Sequence, residues 1–284
     1  MAGESVEIQK IFTLGPKGTF SNQAATRVAH GRNLEIIYTT TIPQIAREVK
    51  EHPSFIGVLP IENSTSGTVG QSQDCLLETE IVITNELMID VQYSLVSNVA
   101  LDKIERYYCH SVAFNQTMLF TAKNLSGADV IFSNSNSHSG ELFLKLPNEP
   151  IAAIIPKPLA DNKEKFRTKR VETEIQDWEH NITRFLVIGK RETKYVPDFK
   201  KHKTSIYIEL HEDRHSLLFE VLREFHVFGI NLCRLESRPV KNKPWCYGFF
   251  IDFVNCYRTA TCLDEIAKLD INYYLLGSYD PIEN

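Results

Sequence analysis

Short apolar runs alternate with amphipathic stretches throughout the first 190 residues of this 284-residue chain, and this alternation restricts the fold more than any other feature. Apolar runs predict buried strands, and stretches with apolar side chains three or four positions apart predict helices. The predicted strands are 8–14, 34–38, 55–61, 104–109, 128–132, 151–155 and 184–189, and the predicted helices are 20–30, 42–51, 69–78, 112–123 and 137–146. Because such alternation is typical of a parallel sheet with crossover helices, we predict an α/β fold.

The order of these elements favours two lobes. The segment 80–97 is extended and poor in helix breakers, so we expect it to cross from one α/β unit to another. The strand at 184–189 then returns to the first unit. The predicted lobes are therefore about 1–79 with 162–190, and about 80–161. Two lobes joined by crossing segments leave a cleft, which is a common position for a ligand.

A different pattern begins after residue 203. Residues 191–203 are polar, with one proline and no apolar period, and predict a linker. The elements predicted beyond it are strand 204–210, helix 214–228, strands 231–238 and 245–254, helix 260–269 and strand 271–279. This βαββαβ order is the ferredoxin-like arrangement. The apolar face of its sheet favours pairing with another copy.

Composition and charge exclude several classes of function. The net charge is −5 and the densest basic run, at 200–203, is short, so we expect no nucleic-acid partner. The N-terminal MAGESVEIQK lacks the pattern of a signal peptide, and no apolar stretch approaches the roughly 18 residues of a membrane helix. Six scattered cysteines without a Cys-x-x-Cys pair favour reduced thiols, no metal site and a cytoplasmic location.

A polar cluster lies at the start of the strand that returns to the first lobe. Asn181, Thr183 and Arg184 stand there, and such strand ends hold the ligands of open α/β sheets. Thr183 offers a neutral hydroxyl donor and Arg184 a planar cation suited to a carboxylate. The combination favours an anionic substrate with a hydroxyl group to lose. The alternative is a capped turn, with Arg184 in a structural ion pair.

Three further polar loops each end a predicted strand and begin a helix, at 15–21, 62–68 and 134–139. Their glycines let the backbone approach a ligand, and the free N–H groups of a helix start favour an anion. The first loop matches neither the dinucleotide fingerprint nor the P-loop. Each loop alone reads as an ordinary cap, but together they predict a site for a small, multiply charged carboxylate that needs no metal.

Five motifs occur in the order and at the spacings of the prephenate dehydratase family: GPKGTFSNQAA, ENSTSGTV, HSVAFNQ, NITRF and GINLCRLESRP. The likeness covers nearly the whole chain, which therefore resembles a monofunctional prephenate dehydratase with a C-terminal ACT regulatory domain. The resemblance implies a two-lobed, periplasmic-binding-protein-like α/β catalytic domain over 1–190. It also implies a ferredoxin-like βαββαβ ACT domain over 204–280.

The activity that this resemblance implies is the conversion of prephenate to phenylpyruvate in L-phenylalanine biosynthesis, without a cofactor. The ring carboxylate leaves as carbon dioxide and the ring hydroxyl as water. The catalytic residue implied is Thr183, which we expect to donate a hydrogen bond because its hydroxyl is too weak an acid for efficient proton transfer. The substrate-binding residues implied are Thr19, Asn63, Ser64, Gln116, Asn136, Ser137, Arg184 and Phe185. Of these, Asn136 and Ser137 replace the usual Ser-Thr pair.

Regulation by phenylalanine is a further implication of the resemblance. In the family, phenylalanine binds ACT domains at a dimer interface and shifts the enzyme to a less active state. The corresponding residues here are Glu236, Ser237, Arg238 and Pro239, together with His215, Ser216, Leu217 and Leu218. The resemblance implies inhibition by phenylalanine. His215 adds bulk where the family usually has glycine, so weaker binding or a different effector is the alternative. Symmetric pairing of the domain predicts a homodimer or homotetramer.

Several alternatives stay open on the sequence alone. Arogenate could replace prephenate as the substrate, the two lobes could form a carboxylate sensor without catalysis, or the enzyme could be a non-aromatising decarboxylase. His110 is either a strand cap or a catalytic group, and Arg238 could pair locally with Glu236.

Overall fold

The computed structural model describes residues 7–166, 169–210, 216–241, 243–269 and 271–283. The first lobe is a five-stranded mixed sheet flanked by helices, with a short additional strand at its rim. Its strands are β1 (Lys10–Leu14), β2 (Glu35–Thr39), β3 (Phe55–Asn63), β4 (Gly67–Thr68), β5 (Ile81–Asp90) and β11 (Ile182–Lys190). Its helices are α1 (Phe20–Ala29), α2 (Ile42–Glu51) and α3 (Gly70–Leu76).

Local sequence explains how these helices begin and which faces they bury. The Thr19 hydroxyl accepts a hydrogen bond from the Asn22 amide and caps α1. Pro43 occupies the first turn of α2, where its missing N–H costs nothing. Ile42, Ile45 and Val49 of α2 recur with helical period and pack against the sheet, so the helix lies where its apolar face is covered.

The second lobe is built around a separate five-stranded sheet. Its strands are β6 (Tyr93–Ser97), β7 (Arg106–His110), β8 (Asp129–Ser133), β9 (Ile151–Pro156) and β10 (Arg170–Thr173), in the order β10-β6-β9-β7-β8. Its helices are α4 (Ser111–Asn115), α5 (Met118–Asn124), α6 (Asn136–Leu144), α7 (Lys157–Ala160) and α8 (Lys163–Phe166). Together the two sheets confirm the predicted two-lobed α/β architecture.

The sheet pairings correct the predicted boundary between the lobes at both crossings. Residues 81–90 were expected to belong with the second lobe, but as β5 they pair with β11 in the first. Residues 170–173 were expected in the first lobe, but β10 pairs with β6 in the second. The chain therefore crosses at 91–92 and again between β10 and β11. The extended segment 80–97 contains two strands that belong to different sheets. The pattern of apolar residues in this segment does not show where the chain passes from the first sheet to the second.

The C-terminal unit, β12 to β15, has the predicted βαββαβ order. Its elements are β12 (Lys203–Leu210), α9 (Leu217–Phe228), β13 (Leu232–Pro239), β14 (Tyr247–Val254), α10 (Thr259–Ala267) and β15 (Ile271–Pro281). The strand order β13-β14-β12-β15 with antiparallel neighbours is ferredoxin-like, which confirms this part of the fold class. Gly229 ends α9 at φ +65°, as expected of a helix C-cap.

The C-terminal unit is joined to the first lobe in one continuous sheet. The end of β15 pairs in parallel with β5 through Asp280 and Pro281, giving the order β13-β14-β12-β15-β5-β11-β3-β1-β2. The segment predicted as a linker also packs against both parts. The Arg191 guanidinium lies 5.0 Å from the ring centroid of Tyr195, whose hydroxyl accepts a hydrogen bond from the Ser278 amide.

None of the helices in the described part of the chain is long and apolar enough to cross a bilayer. The same residues contain no group of three or more His, Cys, Asp or Glu side chains placed to hold a metal ion.

Candidate functional site

Thr183 lies at the edge of the first sheet where the loops after β1 and β3 also emerge. β1 and β3 are parallel, and β11 runs antiparallel to β3, so the start of β11 lies beside the end of β3. Thr183 is directly opposite Asn63 in this pairing. Thr183 is half-buried, so part of its surface is open to solvent.

Asn63 fixes the direction of the Thr183 hydroxyl. The Asn63 Oδ1 atom accepts hydrogen bonds from the backbone amides of Thr65 at 3.0 Å and Ser66 at 2.8 Å. The Nδ2 group therefore faces β11, where it donates to Thr183 Oγ1 at 3.0 Å and to Asn181 Oδ1 at 2.7 Å. Because the Thr183 oxygen accepts this bond, its own proton is free to be donated to a ligand.

Gln116 brings the second lobe into the same network. It lies just after α4 and is 5% exposed. Its Nε2 donates to Thr65 Oγ1 at 3.0 Å and Ser66 Oγ at 2.8 Å, while its Oε1 accepts from Asn181 Nδ2 at 3.0 Å. Both the amino group and the oxygen of the Gln116 side chain are therefore hydrogen-bonded, and they connect the second lobe to the first. Asn181, which belongs to the polar cluster noted in the sequence but not to the predicted substrate-binding residues, is buried at the centre of this network.

The hydroxyl groups of Ser64 and Thr19 donate their hydrogen bonds to backbone carbonyls of the protein. The Ser64 hydroxyl donates to the His180 carbonyl at 2.9 Å and accepts from the Ile182 amide at 2.9 Å. The Thr19 hydroxyl donates to the Pro16 carbonyl at 3.0 Å while capping α1. Both protons are used within the protein in this structure, so these hydroxyls position the loops, and their direct contact with substrate stays a prediction.

The start of α6 in the second lobe carries buried polar atoms that have no hydrogen-bond partner among the described residues. These atoms are Asn136 Oδ1, Ser137 Oγ and His138 Nδ1. Ser135, not its successors, caps the helix by accepting from the His138 amide at 3.1 Å. Unsatisfied buried polar groups are rare in proteins, and of these atoms the Ser137 hydroxyl can donate a hydrogen bond to an anionic ligand at this helix N-terminus.

The loop before α1 lies against this helix start. Gly18 has φ +91°, and a Cβ atom there would stand 3.2 Å from Ser137 Oγ and 3.3 Å from Leu159 Cδ1. Phe20, at the start of α1, meets Tyr93 of the second lobe edge to face at 5.4 Å between ring centroids. Two of the three predicted polar loops therefore meet here across the cleft, and the third meets Gln116 of the second lobe.

Arg184 does not face the cleft, so the prediction that it binds substrate is wrong. Side chains alternate along a strand, and Arg184 leaves β11 on the face opposite Thr183. It is 5% exposed and its guanidinium contacts the carboxylates of Glu62, Glu86 and Asp252. Burial disfavours the charge, but Asp252 and the neighbouring groups outweigh it and keep the pKa of Arg184 above its ordinary value. The structural ion pair, the alternative reading, is the correct one.

Phe185 is also not part of the site. Its ring is 1% exposed and packs in the core formed by α1 and the sheet, beside Ile11, Val58 and Leu87. The predicted substrate contact is therefore corrected to a packing role.

His110 lies at the N-cap position of α4, in the second lobe. No capping hydrogen bond from its side chain is formed, and its Nδ1 atom has no partner among the described residues. Burial lowers the pKa of His110, which favours the neutral ring at physiological pH.

The residues predicted to bind an effector divide between two surfaces. Arg238 lies against α3 of the first lobe, where its Nη2 is 3.1 Å from Asp74 Oδ1, so its ion-pair partner is Asp74 rather than Glu236. Along β13 the side chains of Ser237 and Pro239 are exposed, whereas Glu236 is half-buried. Ser216 is exposed at φ +65°, Leu217 is buried and Leu218 packs on the C-terminal core. His215 lies outside the described residues.

Comparison with known proteins agrees with this arrangement. A family model described as prephenate dehydratase matches residues 11–193. A prephenate dehydratase from Methanocaldococcus jannaschii is 35% identical over 262 residues, which are 91% of this chain and 91% of that protein.

Two solved structures share the fold over nearly the whole chain. The crystal structure of the prephenate dehydratase from Staphylococcus aureus superposes with a TM-score of 0.81 at 27% identity, covering 96% of this chain and all of that one. A prephenate dehydratase from Arthrobacter aurescens in complex with L-Phe gives a TM-score of 0.80 at 28% identity, covering 96% and 90% of the two chains. The resemblance inferred from the sequence motifs is therefore confirmed, and the chain belongs to the prephenate dehydratase family of enzymes.

Proposed function

We propose that this chain converts prephenate to phenylpyruvate, and that Thr183 assists departure of the ring hydroxyl. The carbon–carbon bond to the ring carboxylate breaks and releases carbon dioxide. Its electron pair completes the aromatic ring, and the carbon–oxygen bond breaks as hydroxide departs. One proton converts that hydroxide to water. Aromatisation drives the step.

The observation that carries the proposal is the hydrogen bond from Asn63 Nδ2 to Thr183 Oγ1. With its oxygen occupied as an acceptor, the Thr183 hydroxyl can direct its proton to the leaving oxygen, where negative charge develops. A neutral threonine is a poor general acid, so its contribution is a placed hydrogen bond that strengthens in the transition state. The one net proton that the reaction consumes comes from the bulk solvent.

Binding of the two substrate carboxylates is assigned to the opposite wall of the cleft. The Ser137 hydroxyl and the first amides of α6 form one group of donors beside Asn136, and Gly18 lies against them. Support comes from the unpartnered Ser137 hydroxyl, which is 2% exposed and can donate to an oxyanion.

We further propose that the C-terminal unit is an ACT domain that binds L-phenylalanine as an inhibitor in a homodimer or homotetramer. The effector residues proposed are Ser216, Leu217, Leu218, Glu236, Ser237, Arg238 and Pro239. The relative from Arthrobacter aurescens with L-Phe bound supports phenylalanine as the effector. The exposed outer side chains of β13, including Leu235 at 43% exposure, support pairing with a second copy.

The experiment is an assay of phenylpyruvate formation from prephenate by wild type, Thr183→Ala and Thr183→Ser, with and without phenylalanine. Loss of one such donor costs ~10²–10³ in kcat, so we expect Thr183→Ala to show that loss with little change in KM. Thr183→Ser keeps the hydroxyl and is the matched control, with activity near wild type. Wild-type turnover in Thr183→Ala would remove Thr183 from the mechanism.

The same assay separates the remaining readings of the site. Arogenate is run in parallel as the second substrate. Binding of prephenate without any product would indicate a carboxylate sensor, and a non-aromatic product would indicate a decarboxylase.

A further inference from the structure

A buried ionic cluster lies directly behind the strand pair that carries Thr183 and Asn63. Its members are Arg184, Lys203, Arg234, Glu62, Glu86 and Asp252. Three cations thus face three carboxylates, so the cluster is electrically balanced within itself. It contains residues of both the first lobe and the C-terminal unit.

Two hydrogen bonds of Arg184 cross from β11 to the C-terminal unit. Arg184 Nη1 donates to Asp252 Oδ2 of β14 at 2.6 Å, and Arg184 Nη2 donates to the Tyr279 hydroxyl of β15 at 2.9 Å. The side chains of Arg184 and Asp252 are 6% and 7% exposed. Charge-assisted bonds of this length between desolvated groups hold their partners firmly, because breaking one leaves a buried charge unpaired.

A second crossing contact holds the neighbouring strand. Arg234 Nε of β13 donates to Glu62 Oε2 of β3 at 2.9 Å, and the other Glu62 oxygen accepts from Arg184 Nη1 at 3.0 Å. In the register of β11 and β3, Arg184 is opposite Glu62 just as Thr183 is opposite Asn63. Each of the two residues that form the proposed catalytic hydrogen bond therefore has its chain neighbour tied to the C-terminal unit.

Within the C-terminal unit these anchors are themselves connected. Arg234 and Asp252 are opposite each other in the pairing of β13 and β14. Asp252 Oδ1 accepts a hydrogen bond from Ser205 Oγ at 2.6 Å, and Ser205 also contacts the Tyr279 hydroxyl at 2.7 Å. β13 continues into residues 236–239, so a displacement of that strand moves Arg234 with it.

We infer that Asp252 and Arg234 are positioning residues for catalysis, which act through Arg184 and Glu62 to set the placement of Thr183 and Asn63. The inference rests on the proposed function of Thr183. A shift of the reacting groups by about 1 Å can cost ~10²-fold in rate, so a small rotation of the C-terminal unit is sufficient to lower turnover. The cluster thereby gives an effector on β13 a direct physical route to the active hydroxyl.

The test is the kinetics of Asp252→Asn, which keeps the size of the side chain and removes its charge. We expect kcat for prephenate to fall about 10-fold or more, with a smaller change in KM. The matched control is Glu265→Gln, which removes a carboxylate from an exposed ion pair with Lys268 on α10 and should leave kcat unchanged. If Asp252→Asn does not fold, Arg234→Gln replaces it, because the partner Glu62 is 31% exposed and water can solvate the remaining charge.

A double-mutant comparison with Thr183→Ala distinguishes positioning from general stabilisation. If Asp252 acts through Thr183, adding Asp252→Asn to Thr183→Ala should cost less than about threefold. Equal fold-losses in the two backgrounds, or a wild-type kcat in Asp252→Asn, would overturn the inference.

Hydrogen exchange tests the mechanical link without relying on the reaction. Backbone amides of 61–64 and 182–185 should exchange faster in Asp252→Asn than in Glu265→Gln. Unchanged exchange would overturn the inference even if wild type turns over prephenate. Faster exchange in a protein that does not turn over prephenate would retain the link and reject the proposed reaction.

Discussion

Thr183 and Arg184 are neighbours in the chain whose side chains serve opposite faces of one strand. The hydroxyl of Thr183 receives a hydrogen bond from Asn63 at the cleft, whereas the guanidinium of Arg184 is enclosed by three carboxylates behind the sheet. The motif NITRF therefore combines a residue of the site with a residue that anchors the strand carrying it. A substitution at either position would reduce activity, but for different physical reasons.

His110 should make stability depend on pH in a defined window. Burial lowers the pKa of His110 in the folded state, so the unfolded chain takes up a proton near its ordinary value, about 6.5, before the folded protein does. Folding stability should therefore fall as pH drops below about 6.5. Urea unfolding of wild type and His110→Gln between pH 5 and 8 measures this. The variant should lose less stability on acidification, and parallel curves for the two proteins would contradict the expectation.

At the residue level, the sequence could identify the chemistry at 181–184 but not the direction of each side chain. Because side chains alternate along a strand, Thr183 and Arg184 must point to opposite faces of the sheet. Which of the two faces the cleft can be decided only from the position of β11 in the sheet. Asp252 and Glu86, which neutralise Arg184, are 68 and 98 positions away along the chain. The sequence around position 184 gives no indication of these two carboxylates, and from the sequence alone Arg184 resembles a cation that binds a ligand.

Among the elements, the loop before α1 and the start of α6 lie so close together that a Cβ atom at position 18 would crowd Ser137 and Leu159. A larger residue at position 18 would have two separate costs. One is the backbone strain of a positive φ, and the other is steric contact with Ser137 and Leu159. The contact is therefore a sensitive point for closure of the cleft.

The variants Gly18→Ala and Gly31→Ala separate these two penalties. Both glycines have positive φ, but a Cβ at position 31 would meet nothing within 4 Å. We expect each substitution to lower the free energy of unfolding by about 1 kcal/mol from backbone strain. Gly18→Ala should in addition lower kcat/KM about 10-fold, since it displaces the wall that faces Ser137. Equal kinetics in the two variants would show that the contact has no part in binding.

Elements with a clear period were predictable, and those that depend on pairing were not. The helix predicted at 42–51 coincides with α2, whose apolar residues recur on one face. By contrast, the four residues of β10 are all exposed and include a single apolar residue, Val171, so the strand owes its place to pairing with β6. The division of 80–97 between two sheets also depends on long-range pairing, which the alternation of residues cannot specify.

For the whole molecule, the strands of the site lie in the middle of a continuous sheet between the C-terminal unit and the outer strands of the first lobe. The C-terminal unit is attached through the pairing of β15 with β5 and through the ionic cluster behind β11 and β3. The two-lobed arrangement and the βαββαβ order were predictable because each unit has its own periodic pattern. Their fusion into one sheet was not, since only two residue pairs join them.

If Asn63 directs the Thr183 proton towards the leaving oxygen, as we propose, replacing Asn63 by aspartate should lower kcat for prephenate. An aspartate has the same shape, but its second oxygen accepts a hydrogen bond where Asn63 donates one, so it should turn the Thr183 proton away from the substrate. We predict a fall in kcat of ~10²-fold, close to that of Thr183→Ala, with little further loss when the two changes are combined. A kcat of Asn63→Asp within twofold of wild type at saturating prephenate would show that Asn63 does not direct the Thr183 proton.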